Sequence, residues 1–293
     1  MAELSTSPLP TLASKAFGRT VGQVTARWRA VPDYLVIGTK RGGTTSLQQY
    51  LTAHPDVVEP KAAKASHYFD VNHDKGWSWY RAHFPRQSWM DRQRASGRRV
   101  VVGEASPYYC FHPLALDRIA AQLPTVRMVI VLRDPVERAW SHYSYEVARG
   151  NEDLPFADAL DVEPERLAGA EERIRSGEVQ DDRHWRLHSY LRRGHYEEQI
   201  AAVHRLFAPE QLHVVVSEEL FAEPLAVMNE VFDFLGVGPV DGGRFEAANA
   251  NRKSALDPEL REQMATYYAP HNQRLYDVLG RELPWTAPAA TAR

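Results

Sequence analysis

The chain has 293 residues, 44 % of them hydrophobic and 25 % charged, and carries a formal net charge of −3. These values describe an ordinary globular protein with length for one substantial core. They exclude the basic footprint of a nucleic-acid binder, and no apolar run is long enough to cross a bilayer. The single cysteine, Cys110, forms no internal disulfide, so a reducing compartment and a cytoplasmic location are expected.

Residues 1–30 mix Ser, Thr, Pro, Ala and a few basic residues without the apolar core or cleavage site of a secretory signal. They read as a weakly ordered arm ahead of one domain over 31–293. Four runs, Tyr34 to Ile37, Val100 to Val102, Met128 to Leu132 and Val214 to Val216, are apolar throughout and do not alternate. Strands of that kind are covered on both faces, which predicts a central parallel sheet flanked by helices in an α/β phosphate-loop three-layer fold.

Leu47, Tyr50 and Leu51 make a helical stripe that stops at His54-Pro55. Asp134 caps a second helix with Pro135 in its first turn, Val136, Ala139, Trp140, Tyr143 and Val147 as its apolar face, and Gly150 closing it. A third, Pro224 to Leu235, turns Leu225, Met228, Phe232 and Leu235 inward and ends at Gly236. Residues 152–185 are charged and read as helical, and Asp257 to Leu279 as one or two helices. The basic stretch Arg81, Arg86, Arg92, Arg94, Arg98 and Arg99 reads as a solvated surface, with reception of an anionic acceptor as the alternative.

The first strand runs into Gly38-Thr39-Lys40-Arg41-Gly42-Gly43-Thr44-Thr45-Ser46 and then a helix. Glycines let backbone N–H groups converge on one centre, the helix N-terminus adds positive charge, and the hydroxyls of Thr44, Thr45 and Ser46 donate hydrogen bonds. This is an anion cradle. It departs from the nucleoside-triphosphate loop because Thr44 stands where the lysine belongs, with the cations earlier, at Lys40 and Arg41. Such a loop suits one 5′-phosphate bearing a leaving group better than a triphosphate with its magnesium, and makes a kinase the lesser reading.

The third strand ends in Leu132-Arg133-Asp134-Pro135-Val136-Glu137-Arg138-Ala139-Trp140-Ser141. A dianionic phosphate is met by a permanently charged guanidinium and a hydroxyl; for Arg133 the plainer alternative is an ion pair with Asp134 or Glu137 at a helix start. Loop and segment together resemble the sulfotransferases that use 3′-phosphoadenosine 5′-phosphosulfate (PAPS), in particular the heparan sulfate branch and its bacterial relatives. Further motifs fall in family order between Tyr34 and Trp285: His54-Pro55-Asp56-Val57, His67-Tyr68-Phe69-Asp70, Gly103-Glu104-Ala105-Ser106-Pro107-Tyr108-Tyr109, Leu191-Arg192-Arg193-Gly194-His195-Tyr196 and Phe234-Leu235-Gly236. The resemblance implies that Arg133 and Ser141 hold the 3′-phosphate of PAPS, that Arg252 and Lys253 close over it, and that no metal takes part. The stretch around Arg252 is shorter than in the heparan sulfate enzymes and lacks their nearby disulfide.

The resemblance also implies a loop cation at the leaving oxygen. Arg41 occupies the family's lysine position with Lys40 beside it, and either serves, although arginine cannot give up a proton. The family's glutamate base falls at Ala65, so the base candidates are His67, then Glu104, then Glu59. For His67 with Asp70, satisfying a turn is the alternative, and for Glu104, bracing the loop. A family lysine falls at Ala105, and Lys64 is the candidate to replace it. His142, His184, His188 and His195 lack metal-ligand spacing and read as surface or core-edge residues, and Trp77, Trp79, Tyr80 and Phe84 read as packing, with a stacking platform as the alternative. The expected activity is sulfonate transfer to a hydroxyl or amine of a carbohydrate or natural product, a small-molecule or glycan acceptor. A phosphate-loop small-molecule kinase and a catalytically silent nucleotide-binding protein are the alternatives, and oligomeric state is not read.

Overall fold

The computed structural model describes residues 23–60, 65–243, 245 and 256–285. Residues 1–22 of the expected arm, Lys64, Arg252 and Lys253 lie outside the described residues; residues 23–30 are not loose, since Ala26–Trp28 form a 3-10 turn and Ala30 packs into the core.

Five parallel strands form one sheet: β1 (Tyr34–Gly38), β2 (Val57–Val58), β3 (Val101–Ala105), β4 (Arg127–Leu132) and β5 (Leu212–Val216), in the order β2-β3-β1-β4-β5. Side chains of successive strand residues point to opposite faces. Tyr34 and Val36 accordingly join Val129, Val131 and Val215 in one core, while Leu35 and Ile37 join Met128, Ile130 and Leu132 in another. Two apolar faces explain why the strand sequences run apolar without alternation. The two-residue edge strand β2 escaped the sequence reading because it is too short to leave a pattern.

Helices α1 (Thr44–Thr52) and α5 (Pro224–Leu235) cover the first face through Leu47, Tyr50, Leu51, Met228, Val231, Phe232 and Leu235. Helices α2 (Ala115–Gln122) and α4 (Tyr196–Leu206) cover the second through Ile119, Ile200 and Val203. Between them in sequence, α3 (Pro135–Ala148) starts where Asp134 accepts hydrogen bonds from the Val136 and Glu137 amides, as its cap residues require. Val136 and Ala139 pack with Met264 and Tyr268 of the terminal helix α6 (Pro258–Leu279), a single helix that runs through Pro270.

Two predicted core positions differ. Leu225 and Val147 stand exposed; Val231 takes the inward place in α5 that Leu225 was expected to fill. Residues 152–185 form short helices, Phe156–Asp161, Glu163–Leu167 and Ala170–Ser176, ahead of Arg183–Leu187. Trp77 and Trp79 pack against the core beside buried Tyr80 and Phe84, so these aromatics serve packing.

Gly103 lies opposite Tyr34 in the β1–β3 pair, and a Cβ there would collide with the Tyr34 carbonyl oxygen and ring. Since backbone at the sheet centre cannot give way, Gly103→Ala should cost about 1–3 kcal/mol of stability by overpacking. Urea denaturation checks this; an unchanged midpoint contradicts the close approach.

Candidate active site

The loop after β1 leaves the sheet beside β4. Thr39 N–H donates to the Val131 carbonyl at 3.1 Å and Gly42 N–H to the Thr39 carbonyl at 2.8 Å. A Cβ at Gly42 would sit 2.5 Å from the Val131 carbonyl oxygen, and Gly43 has φ +108°, so both glycines are required for this path. The chain then enters α1 at Thr44, placing a helix N-terminus at the carboxyl end of the central strand, where open α/β sheets gather ligands. Thr44 and Thr45 line the cleft that opens there, whereas Ser46 does not.

Both loop cations grip α3. Lys40 Nζ donates to Glu146 Oε1 at 2.6 Å, and Arg41 Nε donates to Ser141 Oγ at 3.2 Å while its guanidinium lies 4.6 Å from the Tyr145 ring centre. Burial, with the charge of Arg193, lowers the Lys40 pKa to about 7, and Glu146 opposes the shift. Burial lowers the Arg41 pKa as well, with Arg133 adding its positive charge. The latter effect puts Arg133 in the same electrostatic neighbourhood as the loop.

Arg133 itself pairs with Glu137 at 3.3 Å, and Glu137 is also bound by Arg261. The plainer reading of Arg133, an ion pair at a helix start, is therefore the arrangement the structure adopts. Its partner sits on the exposed side of the helix start, where such a pair contributes little stability.

Across the cleft, His67 Nδ1 lies 2.8 Å from Oδ2 of fully buried Asp70. Burial by itself lowers the imidazole pKa, but the hydrogen bond and charge of Asp70 outweigh it and leave the pKa raised. With Nδ1 on the carboxylate, the tautomer is fixed and Nε2 is the ring nitrogen left for chemistry. Among the described residues, Arg41 (φ +75°) and His67 (φ +51°) are the two non-glycine residues with positive φ, and both line the cleft. Strained backbone concentrates at functional sites.

Glu104 occupies a different place. It is buried, and its two oxygens accept from Ser66 N (2.8 Å), Ser66 Oγ (2.8 Å), Tyr80 OH (3.3 Å), Ser106 Oγ (2.8 Å) and Tyr109 OH (2.7 Å). Those five donors use its acceptor capacity, and it is not among the cleft residues. Glu104 braces the segment that carries His67, whose own N–H donates to Ser106 Oγ at 3.0 Å. Exposed Glu59 also lies outside the cleft lining.

The cleft encloses about 590 Å³, and its walls bring Lys40, Arg41 and His67 together with Arg149, Arg186 and Arg193. Sequence reasoning missed Tyr145 and Glu146, although both follow Ser141 by about one helical turn. Arg193, named only within a family motif and given no role there, is fully buried with its guanidinium over the rings of Tyr108 (5.1 Å) and Phe111 (4.5 Å). His142, His188 and His195, expected at a surface or core edge, are buried, His142 fully. None of Arg81, Arg86, Arg92, Arg94, Arg98 and Arg99 lines the cleft; Arg94 and Arg98 pair with Asp33 and Asp56.

A parallel sheet whose central strand runs into a glycine loop and a helix N-terminus is the frame of a phosphate-loop α/β protein; Arg133, at the end of the neighbouring strand, and Ser141 are not among the residues that line the cleft. The sequence profile of the sulfotransferase domain matches residues 31–270, and the chain belongs to that family. A sulfotransferase from Alicyclobacillus acidocaldarius is 30 % identical, with 87 % of this chain and 98 % of that one aligned at a TM-score of 0.62. The membrane-associated sulfotransferase kil1 of Dictyostelium discoideum is 24 % identical over 93 % of this chain and 70 % of its own length. The human heparan sulfate glucosamine 3-O-sulfotransferase 3B1 is 28 % identical over 88 % of this chain and 65 % of its own. The chain thus spans about two thirds of these two relatives. These likenesses favour sulfonate transfer over phosphoryl transfer or a silent nucleotide site. No described helix is long and apolar enough to cross a membrane.

Glu104→Gln tests the brace. Losing one charged acceptor among five buried donors should cost about 1.5–3 kcal/mol of stability in urea, whereas an unchanged midpoint with abolished turnover would instead mark Glu104 as the base.

Proposed function

We propose that this chain transfers the sulfonate of PAPS to a hydroxyl or amine of a carbohydrate or natural-product acceptor. The observation that carries the proposal is the contact between loop Arg41 and Ser141, which draws the phosphate loop and the segment beginning at Arg133 into one basic region. The donor's two ends need such a pair of anion sites: the glycine cradle with Thr44 and Thr45 for the 5′-phosphosulfate, and Arg133 with Ser141 for the 3′-phosphate. The cradle fits the group, because the first amides of α1, at Thr44 and Thr45, are helix N-terminal N–H groups without an intrahelical acceptor, beside two residues that line the cleft. On donor binding Arg133 exchanges Glu137 for the 3′-phosphate. Arg252 and Lys253 join that site in this proposal.

In the reaction the acceptor oxygen or nitrogen bonds to sulfur as the bond from sulfur to the bridging phosphate oxygen breaks. His67 Nε2 takes the acceptor proton, Asp70 stabilises the resulting imidazolium, and Lys40 and Arg41 neutralise the charge that develops on the departing adenosine 3′,5′-bisphosphate. His67 is the favoured base because it lines the cleft with a fixed tautomer, whereas Glu104 is saturated. Buried, unpaired Cys110 accords with a reducing compartment, and a cytoplasmic location goes with this proposal.

Adenosine 3′,5′-bisphosphate should raise the melting temperature by several degrees and ATP with magnesium should not; the opposite ranking supports a kinase. Arg133→Ala should weaken bisphosphate binding at least about tenfold, the loss of one or more charged hydrogen bonds.

The base carries its own pH signature. Since His67 works only when unprotonated, activity rises with pH through its raised pKa. Asp70 is what raises that pKa, so Asp70→Asn should move the acidic limb of kcat to lower pH, and His67→Ala should lower turnover about 10²-fold or more with bisphosphate binding kept. An acidic limb untouched by either substitution transfers the role to another group.

A further inference from the structure

We infer that Glu146 is a positioning residue for this reaction, holding the Lys40 ammonium at the edge of the cleft while Asn151 anchors the carboxylate from behind. The inference rests on the proposed sulfonate transfer. Glu146 is 1 % exposed yet reaches the cleft lining, and its two oxygens do separate work. Oε1 accepts from Lys40 Nζ at 2.6 Å, and Oε2 accepts from Asn151 Nδ2 at 2.7 Å. The Asn151 amide also donates to the Glu146 carbonyl at 2.9 Å, so Asn151 fastens the end of α3 at both main chain and side chain.

A lysine ammonium has three donors. Glu146 engages one, which leaves the other two for donor oxygens. Without that grip a mostly buried lysine, on a flexible four-carbon stem, would surrender its proton or swing to solvent. The groups facing Lys40 make the grip necessary. Arg193 and Arg186 add positive charge from the segments behind the cleft. Fully buried His142, held neutral by burial and by Lys40, lies 3.5 Å from Glu146 Oε1, and the Tyr145 ring lies 5.7 Å from the ammonium. Arg41 stands next to it on the loop, and His67 stands in the facing wall of the cleft. Among the described residues Glu146 is the one carboxylate in that lining. It is therefore the group that opposes loss of the Lys40 charge and holds the ammonium in place.

The test compares wild type with Glu146→Gln, Glu146→Asp and Lys40→Arg, measuring kcat, KM for PAPS, the pH profile and calorimetric binding of adenosine 3′,5′-bisphosphate. Glu146→Gln should lower kcat about tenfold or more and move the alkaline limb of activity down by about one pH unit, because an opposite charge has been removed from a titrating amine. Lys40→Arg should remove that limb altogether, since arginine does not titrate. Should Glu146→Gln fail to fold, Glu146→Asp decides: it keeps the charge, so the limb should stay within a few tenths of a unit while kcat falls through the shortened reach. An alkaline limb identical in wild type and Glu146→Gln, or a Glu146→Asp enzyme with wild-type kcat, overturns the inference. If wild type itself binds no bisphosphate, the functional proposal fails instead, and the two failures are distinguished by that binding measurement alone.

Discussion

Two adjacent cations of the phosphate loop are fastened to one turn of helix α3, Lys40 to Glu146 and Arg41 to Ser141, and the geometry of the cleft depends on that fastening. A loop of glycines has little conformational preference of its own. Here its path is fixed at its start by the Val131 carbonyl and at its middle by the side chains of α3, so strand, loop and helix position one another. The arrangement concentrates positive charge under a partly dry surface. Lys40, Arg41 and Arg193 all have pKa values lowered chiefly by burial, which means that their charged forms are under-solvated and answered by one carboxylate in the cleft wall. An anion entering the cleft supplies what the protein withholds.

Strain appears on both sides of this cleft and has a local support in each case. Arg41 is held in its left-handed conformation by Ser141 and the Tyr145 ring. His67 is held by Asp70, by Ser106 and, through Ser106, by the hydroxyl cluster around Glu104. The Glu104 cluster draws on three separate stretches, Ser66, Tyr80 and Ser106 with Tyr109, so a displacement of any one of them would reach His67. With alanine at position 65, where the resemblance places a carboxylate, a supported imidazole is the proton acceptor in the proposed reaction.

The sheet was legible because its strands are apolar on both faces, and α3 because Asp134 and Pro135 mark a helix start in local sequence. What could not be read was which side chains meet. Leu225 fits an inward helical position as well as Val231 does until the sheet beneath decides between them. Glu104 ends a buried strand as a catalytic carboxylate does, and only the hydroxyls brought from distant segments show that its lone pairs are taken. Glu146 carries a faint signal, a carboxylate about one turn beyond Ser141, but its partner Lys40 lies 106 residues away. Arg193 is marked only by the family motif around it, and its place over aromatic rings is not legible there, since a buried guanidinium looks in sequence like any surface arginine.

The same contacts divide labour within the loop. Arg41 is permanently charged and bonded to a neutral hydroxyl, so it contributes a fixed field whatever the pH. Lys40 has a pKa near 7 and a carboxylate partner, so its charge responds to what occupies the cleft. In the proposed reaction a phosphate oxygen beside Lys40 would favour the ammonium and draw a proton to the loop, and negative charge growing on the departing oxygen would hold that proton more tightly still. A loop built from two arginines would lack this response, and one built from two buried lysines would lose its charge in the empty cleft. In the proposed reaction one permanent and one titratable cation, each tied to its own residue of α3, would attract the donor and follow the charge as it moves.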